Sequence, residues 1–119
     1  MKQKHEFTPE EMRSFKKLLR ALEHFKKLSV AFPESYMEGF LHVALKQGLG
    51  TGEYSQRLEM NKDSTSRILG IIGDRPRRTE KSYELIEQCD DPIDSRKTHY
   101  FVTSKGAQIL KKIHMELES

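Results

Sequence analysis

Asp94-Ser95-Arg96 places an acid and a base two positions apart, directly after the turn-forming Asp90-Asp91-Pro92. An arginine at the end of a β-ribbon can enter a narrow minor groove, where the negative potential of DNA is enhanced. An aspartate two residues earlier can hold the guanidinium through charge-assisted hydrogen bonds and aim it. The same residues also suit an ordinary turn, because Asp, Pro and Ser are common there.

A second set lies in "NKDSTSRILG", residues 61–70. Lys62, Asp63, Ser64, Ser66 and Arg67 supply small polar and basic side chains near the start of a helix, where they can approach base edges and phosphates. The helix N-terminus adds free backbone N–H groups for a phosphate. A solvent-exposed polar face capped by Asn61 fits the same residues. A third set is the loop "RPRR", with Arg75, Arg77 and Arg78, followed by Lys81. Cations so close together neutralise phosphates and release counterions, or pair with nearby acids such as Glu80 and Glu84.

Other chemistry is poorly supplied. Histidines 5, 24, 42, 99 and 114 lack metal-ligand spacing, and there is no cysteine cluster. His42 and His99 read as packing or surface residues. Cys89, the single cysteine, excludes an intramolecular disulfide and fits a reducing compartment. On a strand it reads as a small buried hydrophobe. There is no Gly-rich phosphate loop, nucleophile elbow or paired catalytic carboxylates. Neither an enzyme nor a metal or cofactor is expected.

The elements that must position these residues follow from patterning. The chain has 119 residues, 35% hydrophobic and 33% charged, with a formal net charge of +3. That length suits one domain, and a domain of this size often gains from a partner subunit. The N-terminus has no apolar signal-peptide core and no apolar run reaches the length of a membrane span. A soluble, cytoplasmic protein without membrane contact is expected.

Thr8-Pro9-Glu10-Glu11 is a helix start. Phe15, Leu18, Leu19, Leu22 and Phe25 continue it as an amphipathic helix to about residue 30. After Pro33, a second helix carries Met37, Phe40, Leu41, Ala44 and Leu45 as its stripe and stops at Gly48-Leu49-Gly50. Two short helices follow, one capped by Thr51 with Tyr54 and Leu58 inward. The other is capped by Asn61 with Thr65, Leu69 and Ile72 inward. Two short helices joined by a tight turn form a helix-turn-helix. After the basic loop 73–82, strands at 83–89 and 98–103 make a hairpin. Ile109, Leu110, Ile113 and Leu117 mark a last helix. The fold class is mainly α with a small antiparallel β-hairpin, a winged helix-turn-helix in a single domain.

Here the residues carry a resemblance. "DPIDSRKTHYFVTSKG" resembles the wing signature of MarR-family transcription regulators, with Asp91, Pro92, Asp94, Arg96, Val102, Thr103 and Gly106 in place. "EYSQRLEMNKDSTSRIL" is similar to the family's helix-turn-helix; Leu58 and Ser66-Arg67 match, while Tyr54 and Ser55 replace the usual leucine and alanine. The likeness runs in order from residue 33 to 118. It implies a homodimer on a pseudo-palindromic operator in double-stranded DNA, usually as a repressor, with recognition helices in successive major grooves. It also implies that Arg96 enters the minor groove and that Asp94 orients it. By the same resemblance, residues 1–32 form an N-terminal dimerisation helix, 33–103 the winged helix-turn-helix and 104–119 a C-terminal helix that shares the dimer contact.

The sequence departs from the family at Pro76, where the loop is about eight residues longer. It stops soon after one C-terminal helix, where typical members carry more helical sequence. A small-molecule effector between the dimer helices and the DNA-binding lobe is left open. On this template Lys62, Arg75, Arg77, Arg78 and Lys97 contact phosphates, while Ser64, Ser66 and Arg67 read the major groove. Two other roles fit the same fold: a protein-docking winged helix, and an accessory DNA-binding protein of replication, partition or recombination.

Overall fold

The structure is a computed structural model and describes residues 3–75, 82–94 and 96–119. Five helices and one hairpin follow in order: α1 Pro9–Lys26, α2 Glu34–Leu45, α3 Thr51–Leu58, α4 Lys62–Ile72, β1 Ile86–Asp90, β2 Thr98–Val102 and α5 Ser104–Glu118. This is the winged helix-turn-helix expected from the patterning.

Local chemistry sets the helix starts. Thr8 Oγ1 accepts from the Glu11 N–H at 3.1 Å, and the Glu11 carboxylate accepts from the Thr8 N–H at 2.9 Å. These reciprocal bonds satisfy two orphan donors. Asn61 caps α4 by accepting from the Ser64 N–H at 2.7 Å, and Thr103 caps α5 by accepting from the Gly106 N–H at 3.0 Å. α3 departs from expectation: Gly50 is its cap, with its N–H bonded to Glu53 Oε1, and Thr51 is already helical. The Thr51 hydroxyl instead meets the Tyr100 hydroxyl at 3.0 Å.

α1 ends at Lys26 rather than near residue 30. Leu28 and Ser29 turn back onto the Phe25 carbonyl. That turn brings Phe32 onto Phe25 in a parallel stack, ring centroids 5.6 Å apart. The stack offers more burial than another helical turn. α2 buries the expected stripe only in part: Phe40 is buried and Met37 packs against the core, as expected. Gly39, Phe40 and Val43 face the core, whereas Leu41 and Leu45 are exposed, Leu45 by 78%. Gly39 faces α4 at close range: a Cβ there would lie 3.4 Å from Ile68 Cγ2.

The core joins Phe25, Phe40, Val43, Tyr54, Leu69, Ile72, Leu85, Ile86, Tyr100 and Ile113. β1 pairs with β2 antiparallel, from Ile86 opposite Val102 to Asp90 opposite Thr98. β1 starts three residues later than expected because the chain before it is used elsewhere. The N–H groups of Tyr83, Glu84 and Leu85 bond the carbonyls of Ile71, Gly73 and Ile72 at the end of α4, with Glu84 at φ 55°. Cys89 is exposed on β1, not buried. In β1 only Ile86 reaches the core.

α1 packs along α5. The radius of gyration is 17.0 Å, against about 13.5 Å for a compact chain of this length. α1 leaves Met12, Phe15, Leu18 and Leu19 exposed.

Candidate nucleic-acid interface

α4 is held by its inner face. Thr65, Ile68, Leu69 and Ile72 are buried, and the Thr65 hydroxyl donates to the Asn61 carbonyl at 2.9 Å. The opposite face is thereby fixed outward: Lys62, Asp63 and Arg67 are exposed, with Ser64 and Ser66 half-buried between them. The structure brings these five expected residues to the N-terminal half of one helix, whose first N–H groups lack intrahelical acceptors, that of Ser64 being taken by Asn61.

The wing tip is organised by two carboxylates. Asp91 Oδ1 accepts from the N–H groups of Ile93 at 2.8 Å and Asp94 at 3.1 Å, while Oδ2 lies 3.0 Å from His99 Nε2. Asp94 grips Arg96 in a fork, Nε to Oδ1 at 3.1 Å and Nη2 to Oδ2 at 3.3 Å, and its Oδ1 also accepts the Arg96 N–H at 3.1 Å. Arg96 is nevertheless 89% exposed. A lone flexible guanidinium is thus held in one direction and offered to solvent.

Both carboxylates are held below the ordinary carboxylate range. His99 draws Asp91 down to about 2, helped by the two backbone donors. The Arg96 side chain lowers Asp94, and its backbone N–H adds to this. His99 is pushed up, first by Asp91 and then by the Gly48 carbonyl. Sequence reasoning passed His99 over as a packing or surface residue. Its partners lie 8 and 51 positions away, and only the hairpin register points to the nearer of them.

An open cleft of about 560 Å³ separates the wing from the helix-turn-helix. Lys62, Arg96, Lys97, His99, Asp91 and Glu53 line it. Lys62 of α4 and Lys97 of the wing therefore face one cleft. Arg75 lies behind them. Its Nη2 donates to the Gln88 carbonyl at 3.2 Å and its Nη1 lies 3.7 Å from Asp90 Oδ1, with half the side chain exposed. Arg77, Arg78 and Lys81 lie outside the described residues. A smaller cavity of about 290 Å³, mainly apolar with Lys111 in its lining, opens between α2, β2 and α5. Among the described residues no group of three His, Cys, Asp or Glu could hold a metal ion. No described helix is long and apolar enough to cross a membrane.

The capped α4 beside an arginine-tipped hairpin completes a winged helix-turn-helix. No family model matches the sequence, and no curated protein matches it. Solved structures do match its fold, and they are MarR-family transcription regulators. A MepR variant from S. aureus bound to an oligodeoxyribonucleotide is similar at TM-score 0.69 and 16% identity, covering 95% of this chain and 78% of that one. A MarR variant from E. coli complexed with operator DNA is similar at TM-score 0.63 and 17% identity, covering 90% and 69%. A MarR-like regulator from Thermotoga maritima gives 0.64 and 21%, covering 97% and 78%.

Proposed function

We propose that this chain is a sequence-specific, double-stranded DNA-binding transcription regulator that acts as a homodimer, as a repressor on a pseudo-palindromic operator. The observation that carries the proposal is the Asp94 fork, which fixes an exposed Arg96 at the wing tip. A pre-aimed guanidinium loses less freedom when it enters a minor groove than a mobile one does. The exposed end of α4 supports major-groove reading by Ser64, Ser66 and Arg67, with Asp63 shaping the same face. Lys62, Arg75, Arg77, Arg78 and Lys97 supply phosphate contacts. Two of the similar solved structures are described as holding DNA.

The dimer rests on the outer face of α1 and α5. Phe15, Leu18 and Leu19 of α1 and Met115 and Leu117 of α5 are exposed, Leu19 by 61%. Large apolar side chains so close together mark an association surface. Two subunits would then set their recognition helices about 34 Å apart, one turn of DNA.

The test begins with an operator selected from random duplex. Arg96→Ala should weaken binding to it and reduce discrimination between A·T-rich and G·C-rich flanks. Unchanged binding removes the wing from the interface. Sedimentation equilibrium should give twice the chain mass of 13.9 kDa; a monomer that ignores duplex at low salt refutes the whole proposal.

A further inference from the structure

His99 ties the α2–α3 loop to the base of the wing tip. Its Nδ1 lies 2.9 Å from the Gly48 carbonyl in the α2–α3 loop, and its Nε2 lies 3.0 Å from Asp91 Oδ2 at the base of the wing tip. A peptide carbonyl and an ionised carboxylate only accept hydrogen bonds. A neutral imidazole has one N–H, and the imidazolium has two. Both bonds form together only when the ring is protonated. Asp91 in turn holds the N–H groups of Ile93 and Asp94, and Asp94 holds Arg96. The chain of contacts runs from the helix-turn-helix to the wing arginine without a gap.

We propose that His99, as an imidazolium donating from both ring nitrogens, is the positioning residue that clasps the wing to the α2–α3 loop and thereby aims Arg96. The inference rests on the DNA-binding reading of Arg96 for its functional consequence, though the clasp itself is a property of the free protein. His99 touches no DNA in this account; it acts through Asp91 and Asp94.

The charged and titratable groups around the ring are Asp91 beside it, Glu53 on α3, Lys62 at the start of α4, and Arg96 and Lys97 on the wing. Cys89 faces it in strand register. The two acids favour the imidazolium, and the Gly48 carbonyl accepts from it; Lys62 opposes it from across the cleft and Arg96 and Lys97 from the wing itself, all three exposed to water that screens them. The net direction is upward from the ordinary value of 6.5. The sign follows. His99 contributes fully below 6.5, and its contribution is lost as pH climbs through its raised value. Asp91 contributes above 3.8 and is lost only as pH falls through about 2. The clasp is therefore closed below 6.5 and opens as pH rises through the raised His99 value.

The experiment has two arms on the full chain. Long-range nitrogen–proton NMR of the imidazole should show both His99 ring nitrogens protonated at pH 6.5, with a midpoint above that value. The Ile93 and Asp94 amides should shift with the same midpoint. In the second arm, affinity is measured for duplexes with A·T-rich and G·C-rich flanks between pH 6.5 and 9. The wild-type preference for A·T flanks should shrink about threefold to tenfold per wing, the range expected when a fixed side chain becomes mobile. His99→Gln should have the reduced preference at every pH, without the step. A simple loss of positive charge would instead lower both affinities equally.

The proposal is overturned if His99 titrates at or below 6.5, if the two amides stay still while it titrates, or if His99→Gln keeps the pH step. If Arg96→Ala binds both duplexes as the wild type does, the DNA reading fails and takes the functional part of the proposal with it. The amide titration still decides whether the clasp exists, so the two failures are told apart.

Discussion

Gly106→Ala tests how the wing is joined to α5. Gly106 is buried in the first turn of α5, where that helix crosses the chain leading into β1. A Cβ at this position would press into the Leu85 carbonyl oxygen, 3.1 Å from the Leu85 carbonyl carbon and 3.0 Å from Val102 Cγ1. The first obstacle is backbone and cannot rotate away. The Leu85 carbonyl also accepts from the Thr103 N–H at 3.1 Å, and the Thr103 hydroxyl donates to the Glu84 carbonyl at 2.7 Å. Moving α5 outward to admit the methyl would strain both bonds and the cap. Overpacking of a well-filled site costs about 1–3 kcal/mol, and rigid backbone puts this case at about 3 kcal/mol. The better helix propensity of alanine offsets up to about 1 kcal/mol. The net loss is about 2 kcal/mol, which for a domain of this size lowers the thermal midpoint by about 8–10 °C.

Circular dichroism at 222 nm, scanned at one protein concentration because association shifts the midpoint, measures that loss. Gly52→Ala is the internal control. Its Cβ would meet only Lys62 Cε at 3.3 Å and Nζ at 3.7 Å, the far end of a flexible side chain. That variant should match the wild type or gain a few degrees from helix propensity. If Gly106→Ala melts within about 2 °C of the wild type, the close approach of α5 to Leu85 is not a constraint and the reasoning fails.

Two more substitutions separate fold from aim. Tyr54→Phe removes a hydroxyl that donates to the Lys46 carbonyl at 2.6 Å and accepts from the Leu49 N–H at 3.3 Å. Its loss should cost about 1–3 kcal/mol, seen as a lower urea midpoint with unchanged slope; an unmoved midpoint would mean that water replaces the hydroxyl at no cost. Asp94→Ala should leave the thermal midpoint within about 2 °C, because an exposed ion pair stabilises little. The same change should weaken binding to an A·T-flanked operator about threefold to tenfold as Arg96 becomes mobile. Equal losses on A·T and G·C flanks would sink the aiming role.

What could be read from the sequence was what local chemistry determines. The caps at Thr8, Asn61 and Thr103 act within three residues of themselves, and the Asp94–Arg96 pair acts within two. Thr65, Leu69 and Ile72 were found by helical spacing alone. The failures share a different cause. The buried stripe of α2 takes in Gly39 and Val43, with α4 close to Gly39, and leaves out Leu41 and Leu45, which look equally apolar in a one-dimensional pattern. Tyr83–Leu85 has strand-like composition, but its N–H groups are taken by carbonyls of α4. Cys89 is exposed because only Ile86 in its strand reaches the core. The His99 clasp depends on three segments meeting, and no single segment announces it.

α4 and the wing are therefore fixed by different physics. α4 is seated by five buried side chains, Thr65, Ile68, Leu69, Ile71 and Ile72, so a change in its inner face acts on the whole core. The hairpin contributes Ile86 and Tyr100 to that core, with Val102 packed against it, and a two-stranded hairpin is marginal by itself. What holds it is polar and converges on residues 47–51. The Gly48 N–H donates to the Tyr100 carbonyl at 2.8 Å, and the Tyr100 N–H donates to the Leu49 carbonyl at 3.2 Å. Gln47 Oε1 accepts from the Val102 N–H at 3.0 Å, and the Thr51 hydroxyl meets Tyr100. The α2–α3 loop thus serves β2 as a short third strand, with His99 as its ionic tie. Hydrogen bonds of this kind can be exchanged singly for water, whereas core contacts cannot. Substitutions along the loop–wing seam should accordingly change which flanks are preferred before they change whether the chain folds.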